Sequence, residues 1–367
     1  MRHVLFVLWN GGGNVNPVLA LGRQLSDAGH GVRALGSPSL TTRFSGEGLA
    51  FTARDAATEW DAQRMAADVV AECERVATDA VVVDYMMPGA LCGAERTGIP
   101  TAALVHTLYR AIGVDADGGP MAMASSVASV NKVREHLALQ PIERLSDLLQ
   151  RTDRILVTSP LELDGVPPSA DHGRERYVGP VLEDAGSDRG WRAPGDESDG
   201  PLIVISLGTT PMDEAPVLQR VLDGVGEAHV RVVATLGAHI DPTSIRVPAN
   251  ATVTGYIRHA AVLPHASLVI THGGLGTVVA SLAHGLPMVC IPLGREQPAN
   301  ANAVERVGAG RVVDNASSST AIARAALDVL ESRTYRDAAS RLASTIEELQ
   351  ASNAARMEVE QLALTKR

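Results

Sequence analysis

Short apolar runs, glycine-rich turns and amphipathic stretches alternate along the chain. The run at residues 4–9 (VLFVLW) is too short for a helix and rich in strand-forming residues, which favours a strand buried on both faces of a parallel sheet. A glycine run at 11–13 breaks it. Asn16 followed by Pro17 then predicts an N-cap and the first turn of a helix that ends at Gly29. The chain therefore opens with a strand, a glycine loop and a helix.

The same order of elements recurs on both sides of a polar segment. Further apolar runs that predict strands lie at residues 80–83, 101–105, 155–158, 202–207, 230–235, 251–256, 268–271 and 288–291. Strands that alternate with helices indicate a parallel sheet covered on both faces. Residues 183–201 consist mainly of Gly, Asp, Ser and Pro and predict a linker. Helical spacing of Leu342, Ile346 and Leu349 predicts helices near the end of the chain.

The predicted fold class is α/β, with two doubly wound, Rossmann-like domains. We expect an N-terminal domain over residues 1–182, a linker over 183–201, a C-terminal domain over 202–350, and a C-terminal helix over 351–367 that packs back on the N-terminal domain. Two such domains facing one another leave a cleft lined by the carboxyl ends of both sheets, and ligands bind at those ends. The informative residues are therefore those that directly follow strands.

Composition and charge exclude several classes of function. The 367 residues are 45% hydrophobic, which is enough apolar material for two cores. A formal net charge of -10 without a run of Lys or Arg argues against a nucleic-acid binder and against a protein held on anionic lipid. The first apolar run is too short for a membrane span or a secretory signal, so we expect a cytoplasmic protein. The His and Cys residues have no metal-ligand spacing, so we expect no protein-bound metal.

The most specific local pattern is the segment 271–277 (THGGLGT), which follows an apolar strand and opens a helix. Glycines let the backbone approach an anion closely, while N–H groups at the helix start and the Thr277 hydroxyl supply donors. The pattern predicts a phosphate or diphosphate site, and a tight turn with a capping threonine is the alternative. The segment is neither a P-loop nor Gly-x-Gly-x-x-Gly, which weakens an ATPase or dinucleotide-binding interpretation.

This signature continues at fixed offsets as residues 285–287 (GLP) and 294–301 (GREQPANA). Together with residues 13–17 (GNVNP) and 206–209 (SLGT), the segment 263–310 resembles the nucleotide-sugar-dependent glycosyltransferases of the GT-B fold, family 1, of the bacterial natural-product type. The resemblance covers most of the chain. It implies an inverting transfer of a sugar from a UDP- or TDP-sugar to a small, largely apolar acceptor, without cofactor or metal.

The resemblance assigns the donor site residue by residue. His272 and the turn after it correspond to the diphosphate cradle, where an imidazole donates to a phosphate oxygen and the helix dipole adds to the attraction. Glu296 and Gln297 correspond to the pair that binds sugar hydroxyls, and residues 256–258 correspond to the nucleobase segment. Ala280 replaces a glutamate that often contacts the ribose, which leaves uridine and thymidine as alternatives. The implied donor site comprises Ser206, Thr209, Tyr256, Ile257, Arg258, His272, Gly273, Gly274, Gly276, Thr277, Glu296 and Gln297.

The catalytic position departs from the family pattern. The loop after the first strand usually carries a histidine that removes the acceptor's proton, and Asn14 stands there instead. An amide has no basic lone pair at neutral pH. Asp84 corresponds to the carboxylate that orients this histidine, with a helix N-cap as the alternative. Three mechanisms stay open: Asp84 takes the proton directly or through a water, His106 takes over as base, or the acceptor needs little basic help. We predict the first, with Asn14 holding the acceptor or a water.

The acceptor side is specified only by residue type. Met86, Met87, Met121 and Met123, together with Tyr109, predict a deformable apolar pocket, and for each methionine the alternative is core packing. Two other functions stay open, a sugar-nucleotide-binding partner protein that has lost catalysis and a nucleotide-sugar epimerase of the same fold. The predicted binding partners are a nucleotide-sugar donor and a small-molecule acceptor. The oligomeric state is left open, with a homodimer among the alternatives.

Overall fold

The computed structural model describes residues 1–112, 121, 125–167, 172–182, 188, 190–208, 212–237 and 240–365. The chain divides into two compact units. The N-terminal unit comprises Met1–Val181 and Leu349–Arg367, and the C-terminal unit comprises Leu182–Glu348.

The described part of the N-terminal unit forms one seven-stranded parallel sheet in the order β3-β2-β1-β4-β5-β6-β7. Its strands are β1 (His3–Leu8), β2 (Gly31–Gly36), β3 (Ala50–Ala53), β4 (Ala80–Asp84), β5 (Thr101–Val105), β6 (Arg154–Val157) and β7 (Glu175–Tyr177). Its helices are α1 (Val15–Asp27), α2 (Thr41–Gly46), α3 (Ala62–Arg75), α4 (Pro88–Thr97), α5 (Tyr109–Ile112), α6 (Val127–His136) and α7 (Asp147–Gln150). Every residue of β4 is buried, as expected for a strand with helices on both faces of the sheet.

The described part of the C-terminal unit forms a second parallel sheet in the order β10-β9-β8-β11-β12-β13. Its strands are β8 (Leu202–Ser206), β9 (Arg231–Thr235), β10 (Ala251–Thr254), β11 (Leu268–Thr271), β12 (Met288–Cys290) and β13 (Gly310–Val312). The helices of this half of the chain are α8 (Ala215–Val225), α9 (His259–Val262), α10 (Leu275–Ala283), α11 (Gln297–Arg306), α12 (Ser319–Glu331) and α13 (Arg333–Ala351). The prediction of two doubly wound α/β domains is confirmed.

Each sheet reverses its strand order once, between β1 and β4 in the N-terminal unit and between β8 and β11 in the C-terminal unit. Loops that leave two strands at such a switch point diverge to opposite faces of the sheet and open a crevice at the carboxyl edge. Residues that follow β1, β4, β8 and β11 are therefore placed to bind ligands.

The last helix, α14 (Ala354–Leu362), packs on the N-terminal sheet. Its Val359 and Leu362 are buried in the same apolar cluster as Phe6 and Leu21. Burying such side chains contributes about 1.5–3 kcal/mol each, so α14 is an integral part of that core. The predicted return of the C-terminal helix is confirmed.

The start of α1 differs from its prediction. The helix begins at Val15, and Asn14 rather than Asn16 occupies the N-cap position. The Asn14 side chain makes no hydrogen bond to its own helix, because it bonds elsewhere.

Helices α3 and α4 are in backbone contact. A Cβ atom at Gly89 would lie 2.1 Å from the carbonyl oxygen of Ala62, and one at Gly93 would lie 2.5 Å from that of Ala66. Both distances are far below van der Waals contact, so only glycine allows this approach. The first turns of the two helices are thus pressed against one another.

In the described residues, no helix combines the length and the apolarity that crossing a bilayer requires.

Candidate active site

Three polar side chains meet at the switch point of the N-terminal sheet. Asn14 follows β1, Asp84 ends β4 and His106 follows β5. The Asn14 amide Nδ2 donates to Asp84 Oδ2 at 2.7 Å, and His106 Nε2 lies 3.1 Å from the same oxygen and 3.2 Å from Oδ1. The structure therefore brings the three predicted catalytic residues into one hydrogen-bonded cluster, the Asn14–Asp84–His106 cluster.

Asn14 links this cluster to the loop after β1 through three side-chain hydrogen bonds. The second hydrogen of its amide is donated to the carbonyl oxygen of Trp9 at 3.0 Å, and its Oδ1 accepts from the N–H of Gly11 at 3.0 Å. The residue is only 2% exposed. Since both amide hydrogens are used inside the protein, the prediction that Asn14 holds the acceptor or a water is not the arrangement found. The amide instead fixes the Asp84 carboxylate to the loop after β1.

The Asp84 carboxylate has its oxygens occupied as well. Oδ1 accepts from the N–H of Met86 at 2.9 Å and supports the turn before α4, while Oδ2 accepts from Asn14. The Asp84 side chain is 1% exposed, whereas that of His106 is 16% exposed. The rings of His106 and Tyr85 also meet edge to face, with 4.9 Å between centroids. A buried carboxylate beside a more accessible imidazole is the arrangement in which the carboxylate orients the base.

The predicted acceptor residues separate into two groups. Met87 and Met121 have no exposed surface and pack in the core of the N-terminal unit, so in this structure they fill the core rather than line an open pocket. Met86 is 9% exposed, and Tyr109 is partly exposed with its hydroxyl accepting from Gln150 Nε2 at 2.9 Å. Burial, with Glu175 adding to it, raises the pKa of Tyr109 to about 12. The remaining residue, Met123, lies outside the described residues.

The His272 turn lies at the switch point of the C-terminal sheet. Thr271 at the end of β11 pairs in register with Ser206 at the end of β8. The His272 ring fits between two glycines, because a Cβ at Gly208 or Gly274 would lie 3.1 or 2.6 Å from its Nε2. Burial lowers the pKa of His272 to about 4, and a hydrogen bond with the Ser206 backbone opposes this shift only in part. The imidazole is therefore neutral at physiological pH and has a single N–H, which the Ser206 backbone engages here and which a bound ligand would have to take over.

The glycines of this turn have different surroundings. Gly273 has a φ of +87°, and its N–H donates to Thr271 Oγ1 at 3.2 Å, so this N–H is engaged within the turn. Gly276, in the first turn of α10, is exposed, with open space where a Cβ would project. Thr277 beside it is buried. The first N–H groups of a helix have no partner within the helix, so the start of α10 is the part of the turn that is able to bind an anion.

Glu296 and Gln297 differ in burial and in hydrogen bonding. The Gln297 side chain is 2% exposed, its Oε1 accepts from the N–H groups of Leu293 and Gly294 at 2.8 and 3.2 Å, and its Nε2 lies 3.0 Å from the sulfur of Met212. This amide closes the loop before α11, which is not the predicted contact with sugar hydroxyls. Glu296 is partly exposed, and its carboxylate makes no hydrogen bond or ion pair with other described residues.

The predicted nucleobase segment follows β10. Tyr256 is 58% exposed, Ile257 is partly buried, and the Arg258 N–H donates to the Asp188 carboxylate at 3.1 Å. An exposed aromatic side chain suits stacking, and the nucleobase role of the segment stays a prediction. Thr209 lies outside the described residues. Across the described ranges, no group of three His, Cys, Asp or Glu side chains has the arrangement of a metal site.

Known proteins similar to this chain agree with the predicted family. The glycosyltransferase of kitacinnamycin has the same fold, with a TM-score of 0.80 over 98% of both chains at 23% identity. VinC, solved in complex with dTDP, has a TM-score of 0.73 over 98% of this chain and 99% of its own at 18% identity. Residues 219–362 match the family described as erythromycin biosynthesis protein CIII-like, C-terminal domain. The 4'-demethylrebeccamycin synthase of Lentzea aerocolonigenes is 30% identical over 303 residues, which span 75% of this chain and 72% of that protein. The chain belongs to the GT-B glycosyltransferases of the bacterial antibiotic type.

This glycosyltransferase also carries an aromatic pair that sequence reasoning missed. Trp9 and Trp60 meet edge to face, with 5.0 Å between ring centroids and an interplanar angle of 65°. Trp60 is 43% exposed, and the Trp9 carbonyl is the group that binds Asn14. Only 3% of the residues are aromatic, which marks each tryptophan as unusual, but the sequence does not show that Trp9 and Trp60 meet.

The loop that carries Trp60 is tied to its neighbours. The N–H of Asn10 donates to Ser37 Oγ at 2.9 Å, and the Ser37 hydroxyl in turn donates to the Glu59 carboxylate. Arg54 donates to the Glu59 carbonyl at 3.0 Å. The loops after β1, β2 and β3 are thereby joined, so the loop that carries the exposed Trp60 indole is tied to the loop that carries Asn14.

Proposed function

We propose that this glycosyltransferase moves a sugar from a UDP- or TDP-sugar to a small, largely apolar natural-product acceptor with inversion at the anomeric carbon. The observation that carries the proposal is the His272 turn, where a neutral imidazole lies beside the open start of α10 at a switch point. The dTDP bound to VinC and the rebeccamycin synthase name of a 30% identical relative support the donor and acceptor classes.

The donor is assigned to the C-terminal unit. His272 and the first N–H groups of α10 bind the diphosphate, and Glu296 accepts hydrogen bonds from sugar hydroxyls. When the bond between the anomeric carbon and the diphosphate breaks, its electron pair leaves with the nucleoside diphosphate. The same N–H donors then stabilise the charge that develops on the departing oxygen.

The proton transfer is assigned to His106. With Nε2–H donated to Asp84, the neutral imidazole carries its lone pair on the other ring nitrogen, which takes the proton of the acceptor hydroxyl. The acceptor oxygen forms its bond to the anomeric carbon as the diphosphate leaves. One displacement of this kind inverts the configuration. Asp84 orients the imidazole and balances its charge, and Asn14 holds Asp84 in place.

The donor assignment predicts separate effects of two substitutions. We expect calorimetry to detect binding of TDP or UDP to the wild-type protein, with or without a chelator of divalent metals. His272→Ala should weaken binding of the bare diphosphate, because a hydrogen bond to a charged group contributes roughly 1.5–3 kcal/mol. Glu296→Ala should leave the bare diphosphate unaffected and weaken only the intact sugar nucleotide.

Equal loss of diphosphate affinity in the two variants would show that the division of roles is wrong. Absence of binding of both nucleotides to the wild-type protein would remove the basis of the proposed function. Donor turnover without an acceptor would indicate an epimerase instead. A protein that binds donors yet forms no product with aromatic or macrocyclic aglycones would be a partner protein.

The acceptor assignment rests on the exposed face of Trp60. We expect Trp60→Ala to raise the KM for an aromatic acceptor roughly 2- to 12-fold, since an aromatic pair contributes about 0.5–1.5 kcal/mol beyond area burial. Donor affinity should not change. Trp191→Ala is the matched control, because Trp191 lies in the C-terminal unit against His265. An unchanged acceptor KM in Trp60→Ala would exclude the indole as an acceptor contact.

A further inference from the structure

Arg295 combines a strained backbone with an unpaired charge. Its φ is +55°, in the left-handed region that disfavours residues with a Cβ. The side chain is exposed and makes no hydrogen bond or ion pair with any other described residue. Strained residues persist where the surrounding structure imposes them, and they concentrate at ligand sites.

The conformation of Arg295 is imposed from both sides. Before it, the N–H groups of Leu293 and Gly294 are held by the Gln297 side chain. After it, the start of α11 is held against the His272 turn, because Asn300 Nδ2 donates to the Gly273 carbonyl at 2.9 Å. The loop that carries Arg295 is therefore anchored at both ends next to the proposed diphosphate site.

A second contact places the same loop beside the turn. The Gln297 carbonyl lies 3.1 Å from the position that a Cβ at Gly273 would occupy. The guanidinium of Arg295 is also near enough to His272 to oppose protonation of the imidazole, which contributes to the low pKa of His272. Both observations place the loop that carries Arg295 beside the His272 turn.

We infer that Arg295 is a cationic contact for the donor diphosphate, carried by the loop that the Asn300–Gly273 hydrogen bond holds against the His272 turn. The inference rests on the proposed function and adds a specific residue to the donor site. A neutral His272 and the start of a helix supply hydrogen bonds and a partial positive charge, whereas the leaving nucleoside diphosphate carries full negative charges. A guanidinium supplies a permanent charge and paired N–H donors that match phosphate oxygens. Arginine, rather than glycine, then occupies this left-handed position because its side chain binds the ligand.

The test separates strain from ligand binding. Glycine adopts φ near +55° without strain, so Arg295→Gly should keep or raise the Tm while the Kd for TDP rises roughly 10- to 100-fold, as for a lost charged hydrogen bond. Ala138→Gly is the matched control, since Ala138 also has a φ of +55° but lies in the N-terminal unit. It should keep or raise the Tm and leave the Kd for TDP unchanged. Arg295→Lys should keep part of the affinity, and added salt should weaken TDP binding to the wild type more than to Arg295→Gly.

The outcomes distinguish this inference from the proposed function. Wild-type affinity for TDP in Arg295→Gly, measured by calorimetry, would overturn the assignment of Arg295 and leave the donor site intact. A lower Tm in Arg295→Gly together with weaker binding would assign Arg295 a structural role and overturn the inference. No binding of TDP or UDP to the wild type would overturn both proposals.

Discussion

Replacing His106 with alanine should lower glycosyl-transfer turnover by roughly 10²–10⁴-fold, which is the usual contribution of a positioned general base. The imidazole is the one member of the Asn14–Asp84–His106 cluster with appreciable exposure, and its partner carboxylate is buried. His106→Gln should lose as much, because an amide can still donate to Asp84 but cannot take a proton. The measurement is product formation by mass spectrometry at saturating donor.

The controls for this experiment lie in the other unit. Calorimetric binding of TDP should be unchanged in both variants, since the proposed donor site lies in the C-terminal unit. Near-wild-type turnover in His106→Ala, together with loss of activity in Asp84→Asn, would return the base role to Asp84. Turnover that neither change affects would mean that the acceptor loses its proton without help from either residue.

Asp84→Asn should lower turnover by a similar factor, roughly 10²–10⁴-fold, through His106 rather than directly. The substitution removes the charge that balances the imidazolium. It also places an amide where, in the wild type, the Asn14 amide donates to a carboxylate. A double-mutant cycle checks the mechanism. If Asp84 acts through the imidazole, Asp84→Asn combined with His106→Ala should lose no more activity than His106→Ala alone.

If the losses of turnover from the two single substitutions multiplied in the double variant, Asp84 would act independently of His106, as predicted from the sequence. Asn14→Ala serves as the milder comparison. It removes one of the hydrogen bonds to Asp84 and leaves those from Met86 and His106, so it should cost less turnover than Asp84→Asn.

Strands buried on both faces were predictable from sequence, and strands at less apolar positions were not. β4 is a continuous apolar run up to Asp84, so its position and its functional end were both visible. β2 was missed because it contains Arg33, which is buried only through its ion pair with Glu72 at 2.9 Å. β7 (ERY) lies at the edge of its sheet and is partly exposed throughout, so it has no apolar run to detect.

The candidate site was predictable as a set of residues but not as a set of contacts. The family resemblance selected Asn14 and Asp84, the end of an apolar strand selected His106, and the structure clusters the three residues. The direction of the Asn14 amide depends on how closely the loop after β1 folds. A Cβ at Gly11 would lie 2.6 Å from the ring of Trp9, and no sequence pattern states that this approach occurs. The same holds for Trp60, which reaches the site only through the packing of three loops.

The glycine contact between α3 and α4 fixes the separation of two residues that the proposed reaction uses. Trp60 lies two residues before the start of α3, and Asp84 lies just before the turn into α4. Since Ala62 and Gly89 touch through their backbones, neither helix can slide past the other without a steric clash. On the proposed function, the Trp60 indole and the Asp84 carboxylate that orients His106 therefore keep a fixed separation. An acceptor is then selected by the span between its aromatic ring and its nucleophilic atom, and a change of specificity must come from side chains rather than from movement of the helices.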